Sequence, residues 1–308
     1  MKDKIDRLSK LYALTYKRKV IPMKFFIPFM YIMRKRANKI LDNHSDIFLN
    51  QKIDPSRIHK GFIVSLTSFP ARIDYVWKTI VSIKRQSVLP EKVILYLSQD
   101  EFGDRPLPEN LIKLQDDVFQ IKMVNENLKS HKKYYYSFEE FPDKTIITLD
   151  DDMYYQKDIL KYLIETSLEF PEAVVANRVS RIRKRGEEVL PYNQWKNRYI
   201  KKGEKDLFPI GVDGILYPPG HYRNQMLQKD IFMEITPIGD DIWLNGISRL
   251  NNKEIRYTGY KYRSIPTAES TPALETKNCE EGYNDRQIKA LRQYIISSYG
   301  IDIYTSLK

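Results

Sequence analysis

The sequence predicts an α/β protein with a mostly parallel, open central sheet and helices packed against it. Two patterns carry this. From about residue 60 to residue 165, short apolar runs of strand length alternate with segments whose apolar residues recur at helical spacing. One of these runs ends in three consecutive aspartates, at the carboxyl end of a strand, where open α/β sheets gather their ligands. The composition is that of a folded chain with one main domain and appendages: the 308 residues are 42% hydrophobic and 12% aromatic, with only 12 glycines. The divisions expected are a basic N-terminal segment and linker over 1–56, the main α/β domain over 57–270 and a C-terminal helical segment over 271–308.

Charge is concentrated at one end. Residues 1–40 hold 12 Lys and Arg against Asp3 and Asp6, a net +10 out of +11 for the chain, so the remaining 268 residues are close to neutral. This argues against a nucleic-acid-binding body. Within the segment, Val20 to Met33 is the most apolar run of the chain, interrupted by Pro22, Lys24 and Pro28. Its 14 residues fall short of the ~20 needed to span a bilayer. Flanked by Lys17-Arg18-Lys19 and Arg34-Lys35-Arg36, it suits an interfacial anchor on anionic lipid; a helical arm packed on the domain or on a second subunit is the other reading. No signal-peptide layout is present, and the single Cys279 excludes an intrachain disulfide. The expected location is cytoplasmic, peripheral on the inner face of the cell membrane.

The elements follow in order. Asn50 to Lys60 is polar, contains Pro55 and reads as a linker. Gly61 to Leu66 is a buried strand that runs into Thr-Ser-Phe-Pro, and Ile73 to Gln86 is a helix with Ile73, Val76, Trp77, Ile80 and Ile83 on one face. Lys92 to Leu97 is a strand, Leu107 to Leu114 a helix, Phe119 to Val124 a strand, and Tyr134 to Phe141 a helix. Lys144 to Leu149 is the fourth strand, followed by a helix over Asp158 to Ile164. Arg178 to Phe208 is basic and aromatic without a clear period, which suggests a long covering loop. Gly211 to Gly220 is rich in Gly and Pro, Asp240 to Leu250 returns to helical spacing, and no internal repeat is evident.

The fourth strand leads into Asp150, Asp151 and Asp152. Three adjacent carboxylates repel one another, and a strand end tolerates them chiefly where a cation neutralises them. Hard oxygen donors select Mg²⁺ or Mn²⁺, ions that share their coordination with substrate phosphates.

This apolar strand plus Asp-x-Asp resembles the DxD motif of GT-A glycosyltransferases. The longer string KKYYYSFEEFPDKTIITLDDDMYY is similar to bacterial enzymes of the family-2-like type that build surface polysaccharides, and the resemblance extends over approximately residues 60–250. It implies a GT-A, Rossmann-like catalytic domain carrying a basic helical N-terminal extension. The activity implied is transfer of a sugar from a nucleoside-diphosphate donor, a UDP-sugar first among them. The acceptor would be a saccharide or lipid-linked saccharide, in capsule, lipopolysaccharide or exopolysaccharide synthesis. By that resemblance Asp150 faces the nucleoside, Asp152 is the direct metal ligand with Asp150, Asp151 lies in the donor site, and Thr67, Ser68 and Arg72 seat the nucleotide. Lys132 and Lys133 would offset the charge of the diphosphate.

Gly239-Asp-Asp-Ile-Trp-Leu244 opens a helix after Pro237, where one aspartate can cap the helix while its neighbour enters a cleft. The string resembles the family's ED-type motif, which maps the general base onto Asp241 and a supporting role onto Asp240, with Asp in place of Glu at the first position. A hydroxyl attacking an anomeric carbon must lose its proton, and the departing diphosphate gains charge. A base opposite the leaving group implies inversion. Gly211 to Gly220 resembles the loop under the donor sugar and acceptor, with Gly211, Asp213, Gly214 and Tyr217 as candidate contacts. Among the chain's 22 tyrosines, Tyr192 and Tyr199 with Trp195 are candidates to stack on acceptor sugars, and Arg178, Arg181, Arg183 and Arg185 to meet an acceptor phosphate. The late histidine that many GT-A enzymes use as a metal ligand is missing: His221 is the last, and it is expected to be structural. Phosphatases of the haloacid-dehalogenase type also place Asp-x-Asp after a strand, but Tyr154 stands where they need a small or hydroxyl residue. A non-catalytic, membrane-bound glycan- or nucleotide-binding module is the non-enzymatic alternative, and the joint presence of Asp152 and Asp241 argues against it.

Overall fold

Strands with apolar side chains on both faces must be covered on both, and this dictates the layers of the molecule. The computed structural model describes residues 2–17, 27–195, 200–220, 222–267 and 282–305. Helices α1 (Lys2–Lys17), α2 (Ile27–Asn43) and α3 (Ser45–Leu49) precede the sheet. Strand β1 (Ile58–Thr67), helix α4 (Ile73–Lys84) and strand β2 (Leu89–Ser98) follow, then short helices α5 (Gln99–Phe102) and α6 (Glu109–Ile112) and strand β3 (Phe119–Val124). Next come α7 (Lys132–Glu140), β4 (Thr145–Thr148), β5 (Met153–Tyr154), α8 (Ile159–Glu169), β6 (Val174–Ala176) and β7 (Val179–Arg181). The remainder is β8 (Lys184–Arg185), β9 (Glu188–Val189), β10 (Leu207–Pro209), β11 (Ile215–Tyr217), α9 (Tyr222–Met226), α10 (Lys229–Ile235), α11 (Asp240–Leu250), β12 (Ile255–Tyr257), β13 (Ile265–Pro266) and α12 (Tyr283–Tyr299).

Seven strands form one sheet in the order β12-β6-β11-β4-β1-β2-β3, in which β11 alone runs antiparallel to its neighbours. The expected mostly parallel α/β sheet is therefore present. Alternate residues of each strand enter different cores. Val64, Leu66, Val93, Leu95, Ile147 and Leu149 face a cluster that includes Ile80 of α4, Leu160 of α8, Ile5 of α1 and Leu41 of α2. Ile63, Ile94 and Ile146 face another, made with Tyr134 of α7, Trp243 of α11 and Leu291 of α12. The N-terminal helices thus belong to the wall of the main domain. Residues 18–26, which include the first part of the apolar run, lie outside the described residues, as do His221, Tyr199 and Cys279.

Two expectations needed correction. Arg178 to Phe208 is not a long loop throughout: β7 pairs antiparallel with β10, and β8 with β9. Strands of two or three residues are too short to display a period. The helix expected over Leu107 to Leu114 is only the single turn α6, because Pro106 and Pro108 bar helix before Glu109.

The chain steps from β1 to β2 to β3 in one direction and then returns to place β4 on the other side of β1. The gap beyond the carboxyl ends of β1 and β4 is the switch point at which such sheets bind ligands. Ser65 pairs with Thr148, the last residue of β4, and β1 runs on to Thr67, so residues 67–72 and 150–152 emerge side by side.

Candidate functional site

The backbone of the acidic turn is clamped from several directions. The Tyr155 hydroxyl, fully buried, accepts from the Asp150 amide at 2.9 Å and donates to the Asp150 carbonyl at 3.0 Å. Thr79 Oγ1 donates to the Asp151 carbonyl at 2.8 Å, and the Thr267 amide to the Asp152 carbonyl at 2.8 Å. Protein groups thus hold the turn's backbone, and the fold sets where its three carboxyl groups point.

They point in different directions. Asp151 turns inward: Ser68 Oγ donates to it at 2.5 Å and Arg72 Nη1 at 2.9 Å, leaving it buried. Asp151 thus binds the turn to the segment after β1, and both of its oxygens are engaged. Arg72 Nη1 also lies 3.0 Å from Asp152 Oδ2. Asp150 and Asp152 keep side chains 30% and 27% exposed. Burial, then the charge of Asp151, pushes the Asp152 carboxyl up to about 7 against the pull of Arg72. Thr67, by contrast, spends its hydroxyl on the Tyr96 carbonyl at 2.9 Å.

Lys133 joins the acidic turn to the helix α11. Its buried ammonium stands 3.1 Å from Asp150 Oδ1 and 2.9 Å from Asp240 Oδ2. Burial would lower the ammonium's proton affinity, but the two carboxylates outweigh burial and hold it charged. Lys132 points elsewhere, to Glu101 and Asn127, and does not reach the acidic turn. Adjacent residues on a helix project about 100° apart, so the two cannot share one role.

Asp240 and Asp241 open α11 after Gly239. The loop before them is held by His131, whose Nε2 lies 2.6 Å from the Thr236 carbonyl and whose ring stacks on Phe232 at 4.3 Å. Burial pulls this imidazole down to about 4, so it is neutral near pH 7. Burial, reinforced by the charge of Asp240, pushes the Asp241 carboxyl up to about 7, with Lys133 opposing and Asp150 adding to the rise. Asp150 and Asp241 therefore sense one another.

The glycine-containing loop arrives at the same place. A Cβ placed on Gly211 would lie 3.7 Å from both Asp150 Oδ1 and Lys133 Nζ, an open position beside the pair. Gly214 has φ +95°, and a Cβ there would meet Leu149 Cδ2 at 2.8 Å, so glycine is required for both conformation and space. Asp213 is buried and engaged, by Arg178 at 2.9 Å and Ser264 Oγ at 3.1 Å. Tyr217 lies in the central strand β11, buried, its ring edge-on to Phe138 at 5.9 Å.

Trp195 is not the exposed platform expected. It is buried, packed against Tyr192 at 5.1 Å and Phe208 at 5.3 Å, and its Nε1 donates to the Leu190 carbonyl at 2.8 Å. Of the expected residues, the structure therefore gathers Ser68, Arg72, Lys133, Asp150, Asp151, Asp152, Gly211, Asp240 and Asp241, and sends Lys132, Tyr217 and Trp195 into other contacts. Tyr155, Thr79 and His131 were missed, and Arg178, expected to meet an acceptor phosphate, instead holds Asp213. They act by supporting neighbours that are distant in sequence, and no local pattern signals that.

Among the described residues no three His, Cys, Asp or Glu side chains converge as a ready-made metal cage. The donor set still suits a divalent ion of the Mg²⁺ type, which takes one or two carboxylates and completes its shell with phosphate oxygens and water. Within the acidic turn, Asp150 and Asp152 are the oxygen donors left partly exposed. Four carboxylates, at positions 150–152 and 240, pair with Arg72 and Lys133, an excess of negative charge that a cation would relieve.

No protein-family model matches the chain, and no curated protein matches it. Among solved structures it is similar to S. aureus TarS 1-349 in complex with UDP, at 14% identity and TM-score 0.46, over 80% of this chain and 75% of that one. A further structure of S. aureus TarS 1-349 gives 15% identity and TM-score 0.48 over the same shares. UTP-bound UGPase from Acinetobacter baumannii gives 10% identity and TM-score 0.39, over 80% of this chain and 96% of that one. Likeness at this level assigns neither ligand nor activity to this chain.

Proposed function

We propose that this chain is a cation-assisted glycosyltransferase that moves a sugar from a nucleoside-diphosphate donor, a UDP-sugar first among them, to a hydroxyl of a saccharide or lipid-linked saccharide. The observation that carries the reading is Lys133, bonded at once to Asp150 after β4 and to Asp240 at the start of α11. It joins the acidic turn and the helix-start acid pair into one site at the switch point of the sheet, the juxtaposition that a displacement at an anomeric carbon requires.

In this reading Asp241 is the base. Its raised proton affinity, near 7, suits it to take the proton of the acceptor hydroxyl as that oxygen bonds to the anomeric carbon. The carbon–oxygen bond to the diphosphate breaks as the new one forms, and attack opposite the leaving group inverts the configuration. Asp240, paired with Lys133, holds the start of α11 against the acidic turn. Asp150 and Asp152 would hold Mn²⁺ or Mg²⁺, which when bound supplies Lewis-acid stabilisation of the diphosphate charge. Arg72 and Lys133 add fixed positive charge on the same side. Among the described residues no helix is long and apolar enough to cross a membrane.

The test is a screen of sugar nucleotides for donor hydrolysis and transfer, with and without Mn²⁺, in the wild type and in Asp241→Asn. The expected result is metal-stimulated turnover of one donor that Asp241→Asn removes. Turnover indifferent to chelation would refute the cation's part. Release of phosphate from simple monoesters with no sugar transfer would assign the site to a phosphatase.

A further inference from the structure

Each N-terminal helix has two faces of different chemistry. On α1, Ile5, Ser9 and Tyr12 are buried against the body, while Asp6 holds Arg85 at 2.9 Å. On α2, Met33, Ala37 and Leu41 are buried, and Asn38 accepts from Lys78 Nζ at 3.1 Å. These faces fix the helices to the domain. The outward faces follow the same helical spacing: Lys4, Arg7, Leu8 and Leu11 on α1, and Phe29, Ile32, Arg36 and Lys39 on α2.

Between them runs a groove of about 520 Å³, lined by Lys4, Arg7, Arg36 and Lys39 over Leu8 and Ile40. Among the described residues none of the four cations pairs with a carboxylate. One and two turns ahead of Arg36 on the same stripe, Ile32 and Phe29 stand 48% and 47% exposed, and Leu11 across the groove is 49% exposed. Cations alone suit any polyanion. Large apolar side chains beside them suit a partner that presents fixed negative charge directly above hydrocarbon.

We infer that the outer face of α1 and α2 is a docking surface for a bilayer of anionic phospholipid. Headgroup phosphates occupy the groove between Arg7 and Arg36, and Phe29 and Ile32 enter the acyl boundary. Because the opposite faces of the same helices are tied to Arg85 and Lys78, docking fixes the orientation of the whole domain on the membrane. The inference does not depend on the transfer reaction proposed above.

The test is sedimentation of the full chain with vesicles of phosphatidylcholine containing phosphatidylglycerol, and with phosphatidylcholine alone, at physiological salt. Binding is expected only with phosphatidylglycerol. Arg36→Gln/Lys39→Gln is expected to weaken it roughly 30-fold, two surface cations being lost, and Phe29→Ser/Ile32→Ser by at least about tenfold. Lys161→Gln/Lys289→Gln, which removes as many charges elsewhere, is expected to bind as the wild type does. All four positions of the test variants are exposed, and unchanged circular dichroism verifies the fold. Equal binding by all variants overturns the inference. So does binding of a duplex oligonucleotide with the same dependence on Phe29 and Ile32, or a dimer that only Phe29→Ser/Ile32→Ser dissociates, since the face would then serve nucleic acid or a second copy.

Discussion

Replacing Lys133 with methionine keeps most of the side-chain volume and removes the charge between Asp150 and Asp240. Lys133 and Asp240 have side chains 8% and 12% exposed, so the helix-start carboxylate is left in the interior without a counter-charge. Breaking a buried pair in this way costs about 3–5 kcal/mol. Asp150, 30% exposed, recovers part of its hydration, which places the expected loss near the lower bound, about 3 kcal/mol. In a chain of this size that corresponds to a fall in Tm of roughly 6–9 °C. The assay is thermal unfolding of wild type and variant at pH 8 and pH 5.5. Protonation relieves a carboxylate left without its cation, so the difference should narrow at the lower pH. Lys133→Met/Asp240→Asn, which removes the stranded charge as well, should recover more than half of it. An equal loss at both pH values, unrelieved by the second substitution, would show that the cost is one of packing, and the electrostatic link between the acidic turn and α11 would fall with it.

Four other outcomes are expected. The transfer rate should rise with pH through about 7, because Asp241, its carboxyl raised to about 7, is protonated and inert as a base below that value; a rate flat from pH 6 to 8 with chemistry limiting would remove Asp241 from the role. In Lys133→Met the midpoint of that profile should move up, since Lys133 opposes the rise. Tyr155→Phe leaves the Asp150 amide and carbonyl without their shared partner and should cost about 1–3 kcal/mol of stability with a loss in kcat, measured by unfolding and by initial rates. Trp195→Ala should cost about 3–5 kcal/mol as a core truncation while the acceptor KM measured on the folded fraction changes little; a large KM effect would return Trp195 to the binding surface.

Where local pattern and final position agree, the cause is periodicity. The runs read as Gly61 to Leu66, Lys92 to Leu97 and Phe119 to Val124 lie in or coincide with β1 to β3, Lys144 to Leu149 contains β4 with one residue to spare at each end, and the helix read from Ile73 is α4. Parallel strands buried on both faces are apolar throughout, and amphipathic helices repeat every three to four residues, so each announces itself within a few residues of chain. The same reasoning failed over β7 to β10, whose strands end before a period can form, and at Trp195, because an aromatic ring packed on Phe208 and one stacked on a sugar look alike in a string of letters.

The sequence alone determined the α/β class, the alternation that makes the sheet mostly parallel, the acidic turn on its fourth strand and the concentration of positive charge in the first forty residues. All of these follow from residue type and spacing between near neighbours. Only the tertiary structure decided that Asp151 faces inward to Ser68 and Arg72, that Lys133 and not Lys132 meets the acids, and that α1 and α2 are part of the wall of the domain. Neighbouring side chains on one element diverge by a fixed angle, and which of them meets a partner depends on how elements far apart in the chain cross and pack. Local spacing holds no record of that crossing.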